Sequence, residues 1–282
     1  MKSIVGILGS IARGGGCALL VCALPCRAAI HLPNGAPECV RWGSGVLRDA
    51  LSEKNVPEAQ ADVKVTFGED KPPGDEAFSL EKRGAAVTIR AGGPVGAMYG
   101  LLELAERVHA SASDNRWAEL AAGIQPARQR PSLAVRADNV FIHIRPFLLN
   151  NLAMWREYID MLARNRFNML DLHGGYDLNI TSFPNLFPLL VSVPEYPNVG
   201  NRQEQTKNLA DLKAIVSYAK GRGIRVALMN YSAMVMQGPP AQLADYTAKA
   251  TAELIRQVPD LYEITLVQDN FSPAIVKRKA LL

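Results

Sequence analysis

The feature that most constrains the fold is a regular alternation of strands and amphipathic helices after Pro131. Strands are predicted over 133–144, 167–173, 224–229 and 261–267, and helices over 154–166, 209–220 and 243–257. That order implies a parallel sheet with right-handed crossovers, because each helix returns the chain to the same end of the sheet. Four such units are compatible with half of a (β/α)8 barrel or with a small open sheet.

The segment before this alternation predicts a small α+β domain over residues 29–127. Short stretches with the period of a half-buried strand lie at 63–67, 78–80 and 86–90. The last two are predicted to form a hairpin with its turn at 82–84. From Val95 the apolar residues recur with the spacing of one buried helix face. Residues 111–131 are polar and broken by glycine and proline, and we interpret them as the linker to a second domain, assigned to 128–282.

Length limits how much of a barrel the second domain holds. The chain has 282 residues, and a closed (β/α)8 barrel takes about 250 by itself. We therefore predict an α/β fold in which the α+β domain precedes a partial barrel of about four strand–helix units. An open half-barrel exposes strand edges and apolar surface, and residues 268–282 lose the periodic pattern abruptly. The expectation is a truncated or frameshifted product whose intact relatives continue through the remaining strands.

Residues 1–28 have the pattern of a secretory signal. Lys2 and Arg13 give a basic start, an apolar stretch follows over 17–24, and small residues precede a cleavage site predicted after Ala28. The apolar stretch is shorter than the roughly 20 residues of a spanning helix. We expect a secreted or periplasmic protein with no stable membrane span after cleavage. A buried N-terminal helix, an uncleaved anchor and a lipoprotein signal are the alternatives.

Charge and cysteine usage argue against several function classes. The formal net charge is +4, of which residues 1–28 contribute +3, and this leaves +1 for residues 29–282. A near-neutral body gives no reason to expect nucleic acid or an anionic membrane as partner. Three of the four cysteines lie before Ala28, so Cys39 alone cannot form an internal disulfide or a zinc cluster.

Two glycines interrupt the predicted helix after Val95. Gly96 and Gly100 each cost roughly 1 kcal/mol against alanine, so they need a reason. One reason is close approach of the helix to a sheet, and the other is phosphate binding at a helix start. The spacing is not G-x-G-x-x-G and no Walker lysine follows, so the sequence favours close approach and predicts no cofactor.

Polar side chains gather near the carboxyl ends of the predicted strands, where the loops of a parallel α/β array converge. They are Asn139, His143, Asp171, His173, Asp177, Asn230, Tyr231, Gln268, Asp269 and Asn270. This set suits a neutral polyhydroxylated ligand better than a phosphate, which favours arginine, lysine or a glycine-rich turn. A carbohydrate is therefore the expected partner. Glu263 and Asp269 are carboxylates near the fourth strand, but no arrangement identifies catalytic residues.

These positions also have structural explanations. His173 ends an apolar strand, so a structural role in the core is as consistent with the sequence as a ligand contact. Asp171 would need a polar partner if it pointed into a barrel. A metal site has suitable residue types in His143, His173, Asp171 and Asp177. The spacing matches no metal motif, so no metal is predicted. Aromatic residues of the next loop either stack on a sugar or pack over the strand ends; they are Tyr176, Phe183, Phe187 and Tyr196.

The motifs resemble a known group of enzymes. The stretch AFSLEKRGAAVTIRAGGPVGAMYGLLEL, residues 77–104, is similar to the domain before the barrel in family-20 β-N-acetylhexosaminidases and α-glucuronidases. NRFNMLDLHGGYD, residues 165–177, resembles the second barrel strand of family 20, with Asn168, His173 and Asp177 at matching positions. LAVRADNVFIHI resembles the first barrel strand, and Arg136 stands at the position of a sugar-binding arginine.

The resemblance implies glycosidic bond hydrolysis, but the catalytic pattern of family 20 is not matched. Ala227–Asn230 replaces the P-E-x-D signature, and no Asp-Glu pair follows the fourth strand. We therefore predict a glycoside-hydrolase-like protein that is inactive alone. Its predicted sugar contacts are Arg136, His173 and Asp177, with Asp171 and Asn230 as weaker contacts. The alternatives are a non-catalytic carbohydrate-binding or assembly protein and an open α/β sheet that binds a small ligand or nucleotide, against which the missing phosphate loop counts.

Overall fold

A computed structural model of the chain describes residues 29–67, 74–142, 149–174, 186–231 and 240–267. Within these residues nine strands form two separate sheets, one of five strands and one of four. Each sheet has its own cluster of buried apolar side chains. The described helices are all too short or too polar to cross a bilayer.

The five-stranded sheet is built by the first part of the chain. Its elements are β1 (Ala29–His31), α1 (Glu38–Glu53), a 3-10 turn (Glu58–Gln60), β2 (Asp62–Phe67), β3 (Phe78–Arg83), β4 (Ala86–Ala91), α2 (Pro94–Ala110), α3 (Trp117–Gly123) and β5 (Ala127–Gln129). The strand order is β1-β2-β4-β3-β5. The predicted hairpin is confirmed: β3 and β4 pair antiparallel around Gly84, whose φ of +61° suits glycine.

Two features of this first part differ from the sequence prediction. Helix α1 was not predicted, because Gly43, Ser44 and Gly45 dilute its apolar periodicity, although Leu47 and Leu51 are buried. The linker assigned to 111–131 is wrong, since α3 lies there and β5 pairs with β3 as an edge strand. Tertiary packing of α1 on α2 and strand pairing outweigh the weak local signal.

Close approach explains the glycines of α2. A Cβ on Gly96 would lie 2.3 Å from the Ala77 carbonyl oxygen, and one on Gly100 would lie 2.5 Å from Cγ2 of Ile89. The Gly96 amide already donates to the Asp75 carbonyl at 2.9 Å. That amide is thus engaged by the chain itself, in agreement with the sequence-based preference for close approach over phosphate binding.

The four-stranded sheet contains the predicted strand–helix units. Its elements are β6 (Ala137–Phe141), α4 (Leu152–Arg164), β7 (Met169–His173), α5 (Phe187–Leu190), α6 (Arg202–Lys220), β8 (Arg225–Tyr231), α7 (Pro240–Gln257) and β9 (Glu263–Val267). All pairs are parallel and the strands lie in sequence order. A doubly wound sheet reverses its order at a switch point, whereas this sheet does not, so the fold is that of a partial (β/α)8 barrel.

The two faces of this sheet have different chemistry. Leu170 and Leu172 on β7, and Val226 and Leu228 on β8, are fully buried against the helices. The side chains between them point to the opposite side, because successive residues of a strand alternate. We call this opposite side the inner face; its members are Ala137, Asn139, Phe141, Met169, Asp171, His173, Arg225, Ala227, Met229, Glu263 and Thr265.

One arginine joins the two parts of the molecule. Arg222, which follows α6, donates from Nη1 to Glu38 Oε1 at 3.0 Å and from Nε to Asp160 Oδ1 at 2.7 Å. Its guanidinium also lies 5.0 Å from the centroid of the Trp42 ring and 4.2 Å from that of Tyr218. Glu38 and Trp42 belong to α1, so this buried cation fixes the first sheet domain against α4 and α6.

Candidate functional site

Strand register brings three polar side chains into one row of the inner face. Asn139, Asp171, Ala227 and Glu263 are successive Cα partners across β6 to β9. Asn139 Nδ2 donates to Asp171 Oδ2 at 3.1 Å. Glu263 is exposed, and its Oε1 accepts from Thr265 Oγ1 at 2.8 Å. A carboxamide and two carboxylates therefore share one row, with a small alanine between the two acids.

The environment of Asp171 makes its carboxyl harder to ionise than that of an ordinary aspartate. Partial burial raises the pKa of this carboxyl, and the negative charge of Glu263 raises it further. His173 and the hydrogen bond from Asn139 act in the opposite direction without cancelling the shift. A carboxyl whose pKa is raised can hold a proton for transfer closer to neutral pH than an ordinary aspartate.

The next row of the inner face, one step nearer the carboxyl ends, is aromatic. Phe141, His173, Met229 and Thr265 are successive Cα partners. The rings of Phe141 and His173 make an edge-to-face contact, with centroids 4.5 Å apart and planes at 73°. Phe141 is 44% exposed and His173 is 6% exposed. This row places an accessible ring directly beside the polar row.

Asn230 has a different place from the other predicted contacts. It is buried, and its Oδ1 accepts from the backbone amide of Leu186 at 2.6 Å. Gly174 lies beside it, where a Cβ would come within 2.9 Å of Leu186 Cγ. Asn230 and Gly174 thus hold the start of α5 against the carboxyl ends of β7 and β8, and direct sugar contact by Asn230 stays a prediction.

Arg136 lies at the amino end of β6, at the opposite end of the sheet from His173. Its Nη2 donates to Glu76 Oε2 at 2.9 Å and to the Tyr99 hydroxyl at 3.1 Å. Its Nε donates to the Arg166 carbonyl at 2.6 Å. These partners connect the first sheet to the strand, and a sugar contact of Arg136 stays a prediction at a separate place.

Several predicted residues lie outside the described residues. They are His143, Tyr176, Asp177, Phe183, Gln268, Asp269 and Asn270. Among the described ranges no group of three or more histidine, cysteine or acidic side chains could hold a metal ion. Of the loop aromatics that are described, Phe187 is buried in the core and Tyr196 packs edge-to-face on Tyr246 with centroids 5.4 Å apart. These two pack rather than face a ligand.

Sequence reasoning did not single out Phe141 or Thr265, and it gave Glu263 no orientation. The alternation of side chains along one strand predicts that Asp171 and His173 share a face, but it does not predict which residues of other strands lie beside them. The register that aligns Asn139, Asp171 and Glu263 depends on how three crossovers pack, which no local pattern encodes.

The same fold is found in solved structures of glycoside hydrolases. A family-138 enzyme that targets pectin rhamnogalacturonan II matches with a TM-score of 0.67 and 19% identity, over 85% of this chain and 30% of its own. The family-20 chitobiase of Flavobacterium johnsoniae matches with a TM-score of 0.54 and 15% identity, over 86% of this chain and 43% of its own. The family-20 β-N-acetylhexosaminidase of Streptomyces coelicolor matches with a TM-score of 0.51 and 19% identity, over 82% of this chain and 55% of its own.

The likeness is one of fold. No protein-family model and no curated protein matches the sequence. The chain spans between 30% and 55% of the length of the three structures named above. The resemblance to family-20 enzymes is confirmed at this level: the chain has the fold of one part of family-20 and family-138 glycoside hydrolases.

Proposed function

We propose that the protein is a glycoside-hydrolase-like protein of carbohydrate breakdown, which binds a sugar on its inner face. The observation that carries this proposal is the shared row of Asn139, Asp171 and Glu263 beside the exposed ring of Phe141. Amide and carboxylate groups bind hydroxyls, and an aromatic ring covers the apolar side of a pyranose. The fold supports the same class, because its solved neighbours are glycoside hydrolases.

The two carboxylates are the candidates for O-glycosyl bond hydrolysis. Asp171 and Glu263 stand two strands apart, which separates their strands by roughly 10 Å. Glycosidases place a pair of carboxyl groups about 5–10 Å apart, with one of them protonated as the general acid. The raised pKa of Asp171 suits that acid role. Turnover additionally requires a closed site around the sugar, so the described part alone is expected to bind without hydrolysis.

A non-catalytic carbohydrate-binding or assembly protein is the second candidate. It is favoured by the sequence after Val267, where Gln268–Asp269–Asn270 stands instead of an Asp-Glu pair. Both candidates require binding at the inner face. Hydrolysis would separate them in favour of the enzyme, whereas binding without hydrolysis is expected of both for the described part alone.

Binding and turnover on one set of variants test both candidates. Titration with a panel of soluble oligosaccharides, followed by calorimetry, is expected to find a ligand whose Kd rises at least tenfold in Asp171→Asn and in Glu263→Gln. The control Glu81→Gln lies on β3 of the other sheet and is expected to bind like wild type. Hydrolysis of chromogenic glycosides that Glu263→Gln abolishes would favour the enzyme. Unchanged binding in both inner-face variants would refute the site.

Export to the cell exterior or periplasm is part of the proposal. It rests on the basic start, apolar stretch and small residues of the first 28 positions. Mass spectrometry of the protein recovered from the medium or periplasm is expected to find an N-terminus at Ala29. Protein that is recovered only from the cytosol, with residues 1–28 retained, would contradict export.

A further inference from the structure

A cleft lined by arginines lies between the two sheets, at the amino ends of β6 and β7. We call it the basic cleft, and its charged members are Glu76, Arg128, Arg130, Arg136 and Arg166. Its volume is about 420 Å³, within the range of small-molecule sites. The floor includes Phe78 and Tyr99, both of which are buried. It lies at the opposite end of the second sheet from the aromatic row of the inner face.

Charge in the basic cleft is not balanced. Four guanidinium groups line it against the single carboxylate of Glu76, which Arg136 engages at 2.9 Å. Arg166 is engaged by Glu103 at 2.7 Å, and Glu103 is not a lining residue. Arg128 and Arg130 form no ion pair with any residue that the structure describes. Among the described residues, two of the four guanidinium groups of the basic cleft therefore have no acidic partner.

The geometry of β5 explains why these two cations share a wall. Arg128 lies in the edge strand β5, and Arg130 is the first residue after this strand. Residues two apart in an extended chain can project to the same side, and both arginines line the cleft. Both residues are exposed. Arg136 and Arg166 line the same cleft and are held in place by Glu76, Tyr99 and Glu103. The cleft thus combines two fixed guanidinium groups with two that are available.

We propose that the basic cleft binds an oxyanion of monosaccharide size or smaller, through Arg128 and Arg130. The planar guanidinium fork matches the oxygens of a carboxylate, sulfate or phosphate group and donates two parallel hydrogen bonds to it. A neutral sugar offers no negative charge to these two guanidinium groups. The site is separate from the inner face, so it stands or falls independently of the proposed function.

Calorimetry and thermal shift with defined anions test this site. Sodium glucuronate, sodium sulfate and sodium acetate are compared with neutral glucose at constant ionic strength, on the full chain. We expect glucuronate or sulfate to bind, glucose not to bind, and Arg128→Ala/Arg130→Ala to weaken binding at least tenfold. The matched control Arg83→Ala/Arg202→Ala removes two exposed arginines outside the cleft, and it is expected to bind like wild type.

The anions also separate the two sources of the ligand. Glucuronate that binds at least tenfold more tightly than acetate and sulfate supports an acidic sugar. Sulfate that binds as tightly as glucuronate supports the proposal with a free inorganic anion as the ligand. Equal loss of binding in the two double variants would mean a nonspecific charge effect and would overturn the proposal. So would the absence of saturable binding by any of the anions.

Discussion

Each of the two sheets packs helices on one face, and the sheets differ in the chemistry of the face that carries no helices. In the first sheet this face is polar, with Thr88 and an ion pair between Arg90 and Glu81 at 2.8 Å. In the second sheet, the inner face carries an aromatic ring that is 44% exposed beside an aspartate of raised pKa. A solvated sheet face needs neither feature. The comparison teaches that the second sheet, not the first, presents a surface suited to a ligand.

The helix sides of the two sheets also differ, in how completely their apolar side chains are covered. The buried side chains of the first sheet lie beneath α1 and α2 in a continuous core. On β9, however, Leu266 projects to the helix side and is 47% exposed, and Ile255 on α7 is 54% exposed. Within the described residues, the first unit covers its apolar surface and the second does so only over β7 and β8.

The largest expected effect comes from breaking the helix side of the second sheet. Leu172 is fully buried, and Leu172→Ala is expected to lower the free energy of unfolding by about 2–5 kcal/mol, because it leaves a cavity. Phe141→Ala on the inner face of the neighbouring strand is the matched control, with an expected loss below about 1 kcal/mol. Urea denaturation followed by circular dichroism measures both. Equal losses would contradict the assignment of the two faces.

The next effect tests whether the two units unfold together. Arg222→Ala removes the cation that Asp160 and Glu38 share, with an expected loss of about 3 kcal/mol. We expect the unfolding transitions seen by far-ultraviolet dichroism and by tryptophan fluorescence to separate. Lys220→Ala removes only an exposed pair with Asp260, and its expected effect is below about 1 kcal/mol. A single transition in Arg222→Ala would show that the remaining contacts, those of Arg136 and Arg166 with the first unit, are enough to couple the two units.

Two glycines of the first unit test how closely α2 packs on the sheet. Gly100→Ala places a methyl group 2.5 Å from Ile89 Cγ2, and overpacking is expected to cost about 1–3 kcal/mol. Gly45→Ala on α1 has no neighbouring atom within 4 Å of the new methyl group, so helix propensity should raise stability by up to about 1 kcal/mol. Thermal denaturation measures both signs. Two changes of the same sign would contradict the close approach of α2 to the sheet.

The smallest effect concerns the ionisation of Asp171. Its pKa is raised in the fold, so its contribution to stability is present at low pH and is lost as the pH rises through that value. Asp171→Asn removes the penalty and is expected to add about 0.5 kcal/mol at pH 7, a small gain because solvent screens this half-exposed group. The gain should shrink toward pH 4. The exposed Asp49→Asn on α1 is the control, and a gain independent of pH would contradict the assignment.

Much of the fold could be predicted because it rests on local patterns. The period of the strands and helices after Pro131 predicted β6 to β9 and the three long helices between them, with boundaries that shift by a few residues. The hairpin of β3 and β4 followed from alternation on both sides of Gly84. Helix α1 and strand β5 were not predicted, since α1 owes its stability to α2, and a three-residue edge strand owes its own to β3.

The candidate site could be predicted only in part. Asp171 and His173 were identified because they sit two apart at the end of an apolar strand. The alignment of Asp171 with Asn139 and Glu263 could not be predicted from the sequence, because it depends on the register between strands that are separated by whole helices. The partners of Arg136 are equally non-local, since Glu76 precedes β3 and Tyr99 lies on α2, both in the first part of the chain.

The sequence by itself determined the kind and order of the elements, because helix and strand periods and glycine positions are properties of neighbouring residues. It also determined that residues 29–282 are nearly neutral and that polar side chains stand at the predicted strand ends. Only the tertiary structure decided which of them meet. Packing of α4, α6 and α7 on one side of the sheet turned Asp171 and Glu263 to the other. In the basic cleft, α2 holds two arginines through Tyr99 and Glu103, and the pairing of β5 with β3 brings the other two. Both results depend on contacts between residues far apart in the chain, which no local pattern records.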